Sequence, residues 1–375
     1  MSKIVLNLCL IAMCISSASA DVSTPLRDLA KKHRLPLGSA APIDLLRSEG
    51  DGGKFPAFLS QEFNLLEPEN DFKPPTIWRG DKDFHLDDAD WLLGKPGEKG
   101  WAQNHSMRVR GHVLVYARDD GYTVPRWLMQ KEAQINADQA RDLLHDYITM
   151  LVGRYRGKVA MWDVANEAID DRPNQNPFNL RNSFWFRKLG PEFLVLAFKY
   201  AREADPRVEL YYNEYGIEGG GPKADHVIEL LKWLKQQRAP ITGLGMQWHI
   251  DSGLSLAPGD AHYQFADRVK EIKLGFMITE LDVAVPVVSR KRTDPDYGMT
   301  PRDPNDLQAQ ANVYKEVFEY ALSYSNCRGI NLWGFNDRHS WIPGFSRGER
   351  GAATISDQSY ERKPAYWAIW HALSR

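Results

Sequence analysis

Short apolar runs alternate with longer, partly polar stretches along most of the chain. The runs are rich in β-branched and aromatic residues and predict buried strands, whereas the stretches between them have the length of helices. The predicted strands cover residues 35–41, 63–66, 109–116, 159–164, 208–212, 241–246, 275–279 and 329–333. The predicted helices cover residues 138–155, 191–204, 223–237, 263–273 and 306–323, and Asp138 and Pro191 are ordinary helix-start signals.

This order of strands and helices predicts an α/β fold. Eight βα repeats in a chain of this length favour a closed parallel barrel over an open sheet. We therefore expect a single (β/α)8 TIM barrel over residues 21–375, because no low-complexity linker or repeat divides that region. In such barrels the active site lies at the C-terminal ends of the strands.

The first 20 residues have the pattern of an export signal. Lys3 is followed by a short apolar run and then by Ala18-Ser19-Ala20, which has the small-x-small form that a signal peptidase cleaves. The run is shorter than the roughly 20 residues that a membrane span needs. A buried N-terminal helix is the alternative, but it leaves the A-x-A ending unexplained, and Cys14 lacks the small preceding residue of a lipoprotein. We expect cleavage after Ala20 and secretion to the periplasm or the medium.

Composition and charge exclude several other classes of protein. Hydrophobic residues make up 43% of the chain and the formal net charge is -2, so the excess of cations that nucleic-acid binding requires is missing. Beyond residue 20, Cys327 is the only cysteine, which leaves no intramolecular disulfide and no cysteine metal cluster. We expect a monomer without metal or cofactor, and without nucleic-acid or membrane partners.

Polar and aromatic residues follow seven consecutive predicted strands. Each has an ordinary explanation alone, as a helix cap, a turn residue or part of the core, but independent surface residues do not predict the whole set. The set comprises Glu69, Asn70 and Lys73 after the second strand, then His112 and Tyr116, Asn166 and Glu167, Asn213, Glu214 and Tyr215, Gln247, Trp248 and His249, Glu280 and Asp282, and Trp333 and Trp341 after the eighth strand.

Two of these carboxylates fit the chemistry of glycoside hydrolysis. Glu167 and Glu280 follow the apolar strands in WDVANE and FMITELD, where a barrel converges on its axis. The reaction needs one acid that protonates the leaving oxygen and one carboxylate at the anomeric carbon. An ionised Glu280 disfavours a second charge on Glu167 and keeps it an acid, and esterification of Glu280 then lets Glu167 act as a base.

Sugar recognition requires apolar platforms surrounded by hydrogen-bonding groups. Trp333, Trp341 and Tyr116 are the predicted platforms. Asn166, next to Glu167, is a candidate for contact with the 2-hydroxyl of the reacting sugar, which strengthens in the transition state.

These motifs resemble glycoside hydrolase family 10, the retaining endo-β-1,4-xylanases. WDVANEA is similar to the acid/base segment of the family and ITELDV to its nucleophile segment, and the similarity runs from about Leu35 to the C-terminus. The resemblance implies a (β/α)8 barrel, cleavage of β-1,4-xylan or xylo-oligosaccharides, Glu167 as acid/base and Glu280 as nucleophile.

The resemblance also implies roles for the other strand-end residues. His249, held by Asp282, would bind the nucleophile, and Gln247 and Asn166 would contact the sugar bonded to it. The glycone side would be lined by Glu69, Asn70, Lys73 and His112, the aglycone side by Tyr215, and the reacting sugar would be covered by Trp333 and Trp341.

One segment departs from the pattern of the family. Where the family usually has Trp-His-Ser-Gln shortly before Pro-x-Trp, this chain has Tyr116-Ala117-Arg118-Asp119 and a longer loop to Val124. Those positions normally bind the sugar next to the cleavage point on the glycone side. Recognition of a decorated or acidic xylan by Arg118, Asp119 and Asp120 is one interpretation, and solvated loop charges are the other.

Three functions therefore stay open at this stage. The first is an endo-1,4-β-xylanase, and the second is a related retaining β-glycosidase that acts on cellulose-like or other β-linked glycans. The third is a non-catalytic glycan-binding barrel, although such proteins usually lose a catalytic carboxylate and this chain keeps both Glu167 and Glu280.

Overall fold

The computed structural model describes residues 23–375. The predicted export signal, residues 1–20, lies outside the described residues, so its cleavage stays a prediction. No helix within the described part of the chain is long and apolar enough to cross a membrane.

Within residues 23–375, eight parallel strands close into a barrel, which confirms the predicted fold. Each strand pairs with the next along the chain, and the eighth pairs with the first through Leu37 and Ile330. The strands are β1 Leu37–Ala40, β2 Leu65–Glu67, β3 Arg108–Gly111, β4 Met161–Asn166, β5 Glu209–Glu214, β6 Gly243–Met246, β7 Gly275–Pro286 and β8 Cys327–Leu332.

Short strands extend or flank the barrel. The predicted third strand, residues 109–116, is not continuous, because β3 ends at Gly111 and a separate piece, Val115–Tyr116, pairs with the end of β4. The peptide bond between His112 and Val113, in the gap, is cis. The remaining short strands are His249–Asp251 and Arg350–Gly351, which pair with β7, and the hairpin of Trp78–Gly80 with Asp83–Phe84.

All five predicted helices are present, with ends within two residues of the predicted positions. They are Ala137–Arg154, Glu192–Ala204, Pro222–Gln236, Ala261–Glu271 and Asn305–Ser323. The other helical segments are Leu26–Lys32, Ile43–Arg47, Lys54–Glu62, Pro74–Ile77, Asp87–Leu93, Trp101–Asn104, Arg126–Gln130, Glu132–Gln134, Pro177–Asn179, Phe184–Leu189, Asp337–His339, Ile342–Phe345 and Pro364–Leu373.

The cap of the first long helix differs from the prediction. Asn136, not Asp138, is the capping residue: its side chain accepts a hydrogen bond from the Gln139 amide at 2.9 Å, and the Gln139 side chain accepts one from the Asn136 amide at 2.9 Å. This reciprocal capping box satisfies two amides that would otherwise lack partners at the helix start.

Apolar side chains fill both the interior of the barrel and the layer between strands and helices. Leu65, Met161, Tyr211 and Met277 form a separate cluster from four strands, inside the barrel. A Cβ atom at Gly111 would lie 2.1 Å from Cε3 of Trp162, so the glycine allows this buried ring to pack against β3. The dense packing holds the strand ends, and therefore the residues that follow them, in a fixed arrangement.

Candidate active site

Two buried glutamates face one cavity at the C-terminal end of the barrel. Glu167 follows β4 directly with a left-handed backbone, φ 53°, and Glu280 lies in β7. Their exposed fractions are 6% and 5%. The cavity has a volume of about 460 Å³, within the range of small-molecule sites. Both carboxylates are therefore shielded from bulk water yet open to a ligand.

Most of the predicted site residues line this cavity. The structure places Lys73, His112, Tyr116, Glu167, Tyr215, Gln247, His249, Glu280, Trp333 and Trp341 on its wall, together with Arg118, Gly216, Glu218 and Phe345. Asn166 and Asp282 lie behind the wall and hydrogen-bond to residues on it. Glu69 lines an adjoining narrow cavity, and Asn70 bonds to both Glu69 and Lys73.

Glu280 is held by an amide and an imidazole. The Asn213 amide donates to Oε1 of Glu280 at 2.7 Å, and Nε2 of His249 lies 3.2 Å from Oε2. Nδ1 of His249 lies 3.0 Å from Oδ2 of Asp282, which also accepts a hydrogen bond from the Trp341 indole at 2.8 Å. This series of hydrogen bonds, from Trp341 through Asp282 and His249 to Glu280, fixes the orientation of both the imidazole ring and the Glu280 carboxylate.

The charges around Glu280 keep it ionised. Burial alone would raise the pKa of Glu280, but the hydrogen bond from His249 and the nearby charges of His112, His249 and Arg110 outweigh burial and lower this pKa to about 2. Burial would likewise lower the pKa of His249, but Asp282 and Glu280 raise it to about 10. At neutral pH the pair is a carboxylate next to an imidazolium, which donates from both ring nitrogens.

A buried ion pair supports this arrangement from inside the barrel. Arg110 pairs with Asp163, and Nδ1 of His112 lies 2.7 Å from Oδ2 of the same carboxylate. Nη1 of Arg110 also donates to the backbone oxygen of Thr279, the residue before Glu280, at 3.0 Å. The group thus links β3 and β4 to the strand that carries Glu280.

Glu167 has a different set of partners. Its Oε1 accepts hydrogen bonds from the Tyr116 hydroxyl at 2.6 Å, the Gln247 amide at 3.1 Å and the Asn166 amide at 3.3 Å. Its Oε2 accepts one from Nη1 of Arg118 at 3.0 Å. Burial and the negative charge of Glu167 raise the pKa of Tyr116, which therefore stays a hydrogen-bond donor.

In the loop from Tyr116 to Val124, which departs from the family pattern, Arg118 faces the active-site cavity and two acidic residues hold the loop in place. Arg118 lines the cavity. Asp119 instead accepts hydrogen bonds from the Phe184 amide at 2.8 Å and from Arg187 at 2.6 Å, which anchors the loop to the helix that starts at Phe184. Asp120 accepts from the Tyr122 amide at 3.0 Å and stabilises the turn. Of the three residues, Arg118 alone lines the active-site cavity, and all three line a neighbouring cleft, so recognition of an acidic xylan by this segment stays a prediction.

On the predicted glycone side, three polar residues form one chain. Nζ of Lys73 donates to the Asn70 side chain at 2.7 Å, and the Asn70 amide donates to Glu69 at 2.8 Å. Burial raises the pKa of Glu69 to about 6. The chain orients an ammonium group into the cavity, as a sugar hydroxyl requires.

The aromatic side chains take different positions around the two carboxylates. Trp341 and Trp333 meet His249 edge-on, with ring centroids 4.9 Å and 6.2 Å away. Tyr215 has Nζ of Lys223 3.3 Å above its ring centroid, and its hydroxyl donates to Asp171 at 2.5 Å. One face of the Tyr215 ring is thus covered by the Lys223 ammonium. The indoles of Trp333 and Trp341 instead lie on the side of the cavity that contains His249 and Glu280.

Sequence patterns did not reveal several residues that organise the site. Asn213 lies at a predicted strand end and has no predicted role in the site, yet its side-chain amide donates a hydrogen bond to Glu280. Arg110 and Asp163 lie within strands, and the signal for them is a charged residue inside an otherwise apolar run. Across residues 23–375, no group of three His, Cys, Asp or Glu side chains could hold a metal ion.

A parallel barrel with one buried glutamate directly after β4 and another within β7, in a cavity with tryptophan walls, is typical of a glycoside hydrolase. The chain belongs to glycosyl hydrolase family 10, whose family model matches residues 25–372. This finding confirms the resemblance inferred from the motifs.

Individual relatives are similar over almost the whole chain. Endo-1,4-beta-xylanase B of Thermotoga neapolitana is 35% identical over 366 residues, which is 96% of this chain and 95% of that protein. The crystal structure of native xylanase 10B from Thermotoga maritima has a TM-score of 0.81 at 32% identity and covers 93% of this chain and 98% of that one. Xylanase 10B from Thermotoga petrophila in complex with xylobiose has a TM-score of 0.80 at 32% identity and covers 93% and 97%.

Proposed function

We propose that this protein is a retaining endo-1,4-β-xylanase that uses Glu280 as nucleophile and Glu167 as acid/base. The observation that carries the proposal is the contrast between two buried carboxylates in one cavity: cationic neighbours lower the pKa of Glu280 to about 2, whereas Glu167 lies in a network of hydroxyl, amide and guanidinium donors. The substrate follows from the family and from the similar xylanases, one of which holds xylobiose.

In the first half-reaction, an oxygen of Glu280 attacks the anomeric carbon while the glycosidic bond breaks. Glu167 gives its proton to the leaving oxygen and becomes a carboxylate. The hydroxyl of Tyr116 and the guanidinium of Arg118 already point at its two oxygens, so they stabilise the charge that develops there. The products are a covalent glycosyl-enzyme and a shortened chain with a new hydroxyl end.

In the second half-reaction, Glu167 removes a proton from water, and the water oxygen attacks the anomeric carbon. The bond to Glu280 breaks, and the carboxylate returns to the field of His249 and Arg110. Two inversions at the same carbon give net retention. The sugar hydroxyls are within reach of donors from Gln247 and Lys73, which line the cavity.

The direct test is the product profile on linear xylo-oligosaccharides. We expect internal cleavage, with products that first appear in the β configuration when followed by NMR. First-formed α products would contradict a retaining mechanism. The absence of any new reducing ends would favour the non-catalytic glycan-binding barrel.

A related retaining β-glycosidase for cellulose-like chains is the second candidate, because Tyr116 and Arg118 stand where the family usually has other residues. In the xylanase proposal Trp341 acts as the steric filter against a hydroxymethyl group at C5 of the sugar, and the bond to Asp282 fixes its indole. Initial rates on xylo- and cello-oligosaccharides of equal length distinguish the two. Faster cleavage of the cello-oligosaccharide would overturn the xylanase proposal.

Export after Ala20 and a monomeric state also belong to this proposal. The small-x-small ending at Ala18-Ser19-Ala20 supports export. N-terminal sequencing of the exported protein and light scattering after size exclusion test them.

A further inference from the structure

A second cavity lies beyond the tryptophan wall of the active site. It has a volume of about 410 Å³ and is here called the distal cavity; its lining is Leu45, Ser48, Gly50, Asp51, Lys54, Phe55, Arg338, His339, Gln358, Ser359 and Tyr360. It is formed by the segments that follow β1 and β8. Both segments leave the same end of the barrel as the active site, so the two cavities open on one face of the molecule.

A void of about 10 Å³, too small for a sugar ring, lies between the distal cavity and the active site. Its lining shares Trp333 and Trp341 with the active site, and it shares Phe55 and His339 with the distal cavity. Glu69, on the predicted glycone side, lies between them. The distal cavity is therefore a neighbour of the active site on the predicted glycone side, and the wall of Trp333 and Trp341 stands between them.

Two cations in the distal cavity lack partners. Within residues 23–375, neither the ammonium of Lys54 nor the guanidinium of Arg338 makes a hydrogen bond or ion pair, and both side chains belong to exposed residues. Lys54 is the first residue of the helix Lys54–Glu62, and Arg338 lies in the turn Asp337–His339. Both positions are therefore anchored in ordered segments, while their charged ends are free to bind a ligand.

The lining holds two cations, Lys54 and Arg338, and one carboxylate, Asp51, so one positive charge remains in excess. Asp51 accepts hydrogen bonds from the Lys54 amide at 3.1 Å, from the Phe55 amide at 3.0 Å and from the Tyr360 hydroxyl, so its oxygens are engaged in structural contacts. Burial and then the charge of Arg338 lower the pKa of His339, and the smaller opposing effects of Asp51 and Asp44 do not reverse this shift. An anion is the ligand that the excess positive charge favours.

We propose that the distal cavity is an accessory subsite that binds the carboxylate of a uronic-acid substituent on the glycone part of the polysaccharide, through Lys54 and Arg338. The argument rests on the proposed function, because a cavity that adjoins the glycone side of the active site is within reach of a substituent on the bound glycan. A uronic acid supplies the one anionic group that such a sugar chain carries, and carboxylates match lysine and arginine donors. The ring of Tyr360 offers an apolar surface beside them.

The test compares glucuronoxylan with the same polymer after reduction of its carboxyl groups to alcohols. We expect the wild type to show a kcat/KM about three- to tenfold higher on the acidic polymer, the size that two exposed ion pairs allow. The Lys54→Met/Arg338→Met variant should lose this preference, and added salt should weaken it in the wild type. All forms should cleave unsubstituted linear xylo-oligosaccharides equally.

The matched control is Arg156→Met/Lys232→Met, which removes two exposed charges without side-chain partners among the described residues. Equal rates of the wild type on both polymers would overturn the inference, as would a preference that survives in the Lys54→Met/Arg338→Met variant. If no xylan is hydrolysed at all, the proposed function fails instead. Binding of both polymers to the Glu280→Gln variant in affinity gels then decides on the distal cavity: stronger retention by the acidic polymer supports it, and equal retention contradicts it.

Discussion

The surroundings of Glu280 and of Glu167 differ in where their partners come from. Asn213, His249 and Asp282, which surround Glu280, lie in or beside barrel strands. Glu167 also has partners at strand ends, but one of them, Arg118, comes from a loop that is anchored by Asp119. The nucleophile half is thus built on the rigid scaffold, and the acid/base half is partly built on a variable segment.

The difference also concerns charge. The barrel strands surround Glu280 with cationic groups that make the ionised form dominant down to about pH 2. Around Glu167 the donors are a phenol, two amides and one guanidinium, and the Arg118 side chain is 41% exposed. A nucleophile needs a permanent charge, whereas an acid/base must gain and lose a proton in each cycle. Glu280 thus lies among cationic groups, whereas three of the four donors to Glu167 are neutral.

Replacement of the nucleophile is expected to have the largest effect. Glu280→Ala should lower kcat on linear xylo-oligosaccharides at least about 10⁴-fold, because no carboxylate remains to form the glycosyl-enzyme. With an activated aryl glycoside, azide should restore turnover and give the inverted α-glycosyl azide, detected by NMR. Glu271→Ala, at an exposed helix end, is the control. Full activity of Glu280→Ala would disprove the assignment.

Replacement of the acid/base should depend on the leaving group. Glu167→Ala should lower kcat/KM about 10²–10⁴-fold for substrates with a sugar leaving group, which needs a proton. With a dinitrophenyl glycoside the first step needs no proton, so the second step becomes rate-limiting and a burst of phenolate appears in stopped flow. Azide should then yield the retained β-glycosyl azide. An equal loss on both substrates would remove the distinction between the two glutamates.

The partners of Glu167 give smaller and graded effects. Tyr116→Phe removes a buried hydrogen bond to a charged group and should lower kcat/KM on xylo-oligosaccharides about 10-fold or more. Arg118→Met removes a partly exposed partner and should lower it about fivefold. Thermal unfolding should be unchanged for Arg118→Met, which separates catalysis from folding. If Arg118→Met behaves as the wild type, the loop contributes nothing to the acid/base half.

The comparison also shows which features the sequence could predict. Hydrophobic periodicity located five of the long helices to within two residues but not Lys54–Glu62 or Pro364–Leu373. The predicted strand ends located both glutamates, because burial on both faces leaves apolar runs before each polar residue. Contacts between strands were not predictable in the same way. The hydrogen bond from Asn213 to Glu280 and the ion pair of Arg110 with Asp163 join different strands. They depend on the register between strands and on the closure of the barrel, and the order of residues along the sequence does not specify either. Asp119 looked like a ligand residue but is anchored to the Phe184 amide.

Glu67 gives the smallest effect on activity and tests the electrostatics of the Glu280 half. It is fully buried at the end of β2, and neither carboxylate oxygen has a hydrogen-bond partner among the residues the structure describes. Burial, followed by the partly opposing charge of Arg110 and the repulsion from Glu280, raises the pKa of Glu67 well above 4.5. We therefore expect Glu67 to be protonated while the nearby Glu280 is ionised.

The contribution of Glu67 to the stability of the protein should therefore fall as pH rises through the range between its unfolded and folded pKa values. Below pH 4.5 both the folded and the unfolded states hold the proton of Glu67; above it the unfolded state releases its proton first, so stability is lost until the folded pKa is passed. Glu67→Gln removes this loss and should leave kcat close to the wild-type value. Calorimetry should show the Tm of the variant rising relative to the wild type between pH 5 and pH 8, with Glu271→Gln as control. A constant difference in Tm would mean that Glu67 is ionised, and the charge contrast between the two halves would need revision.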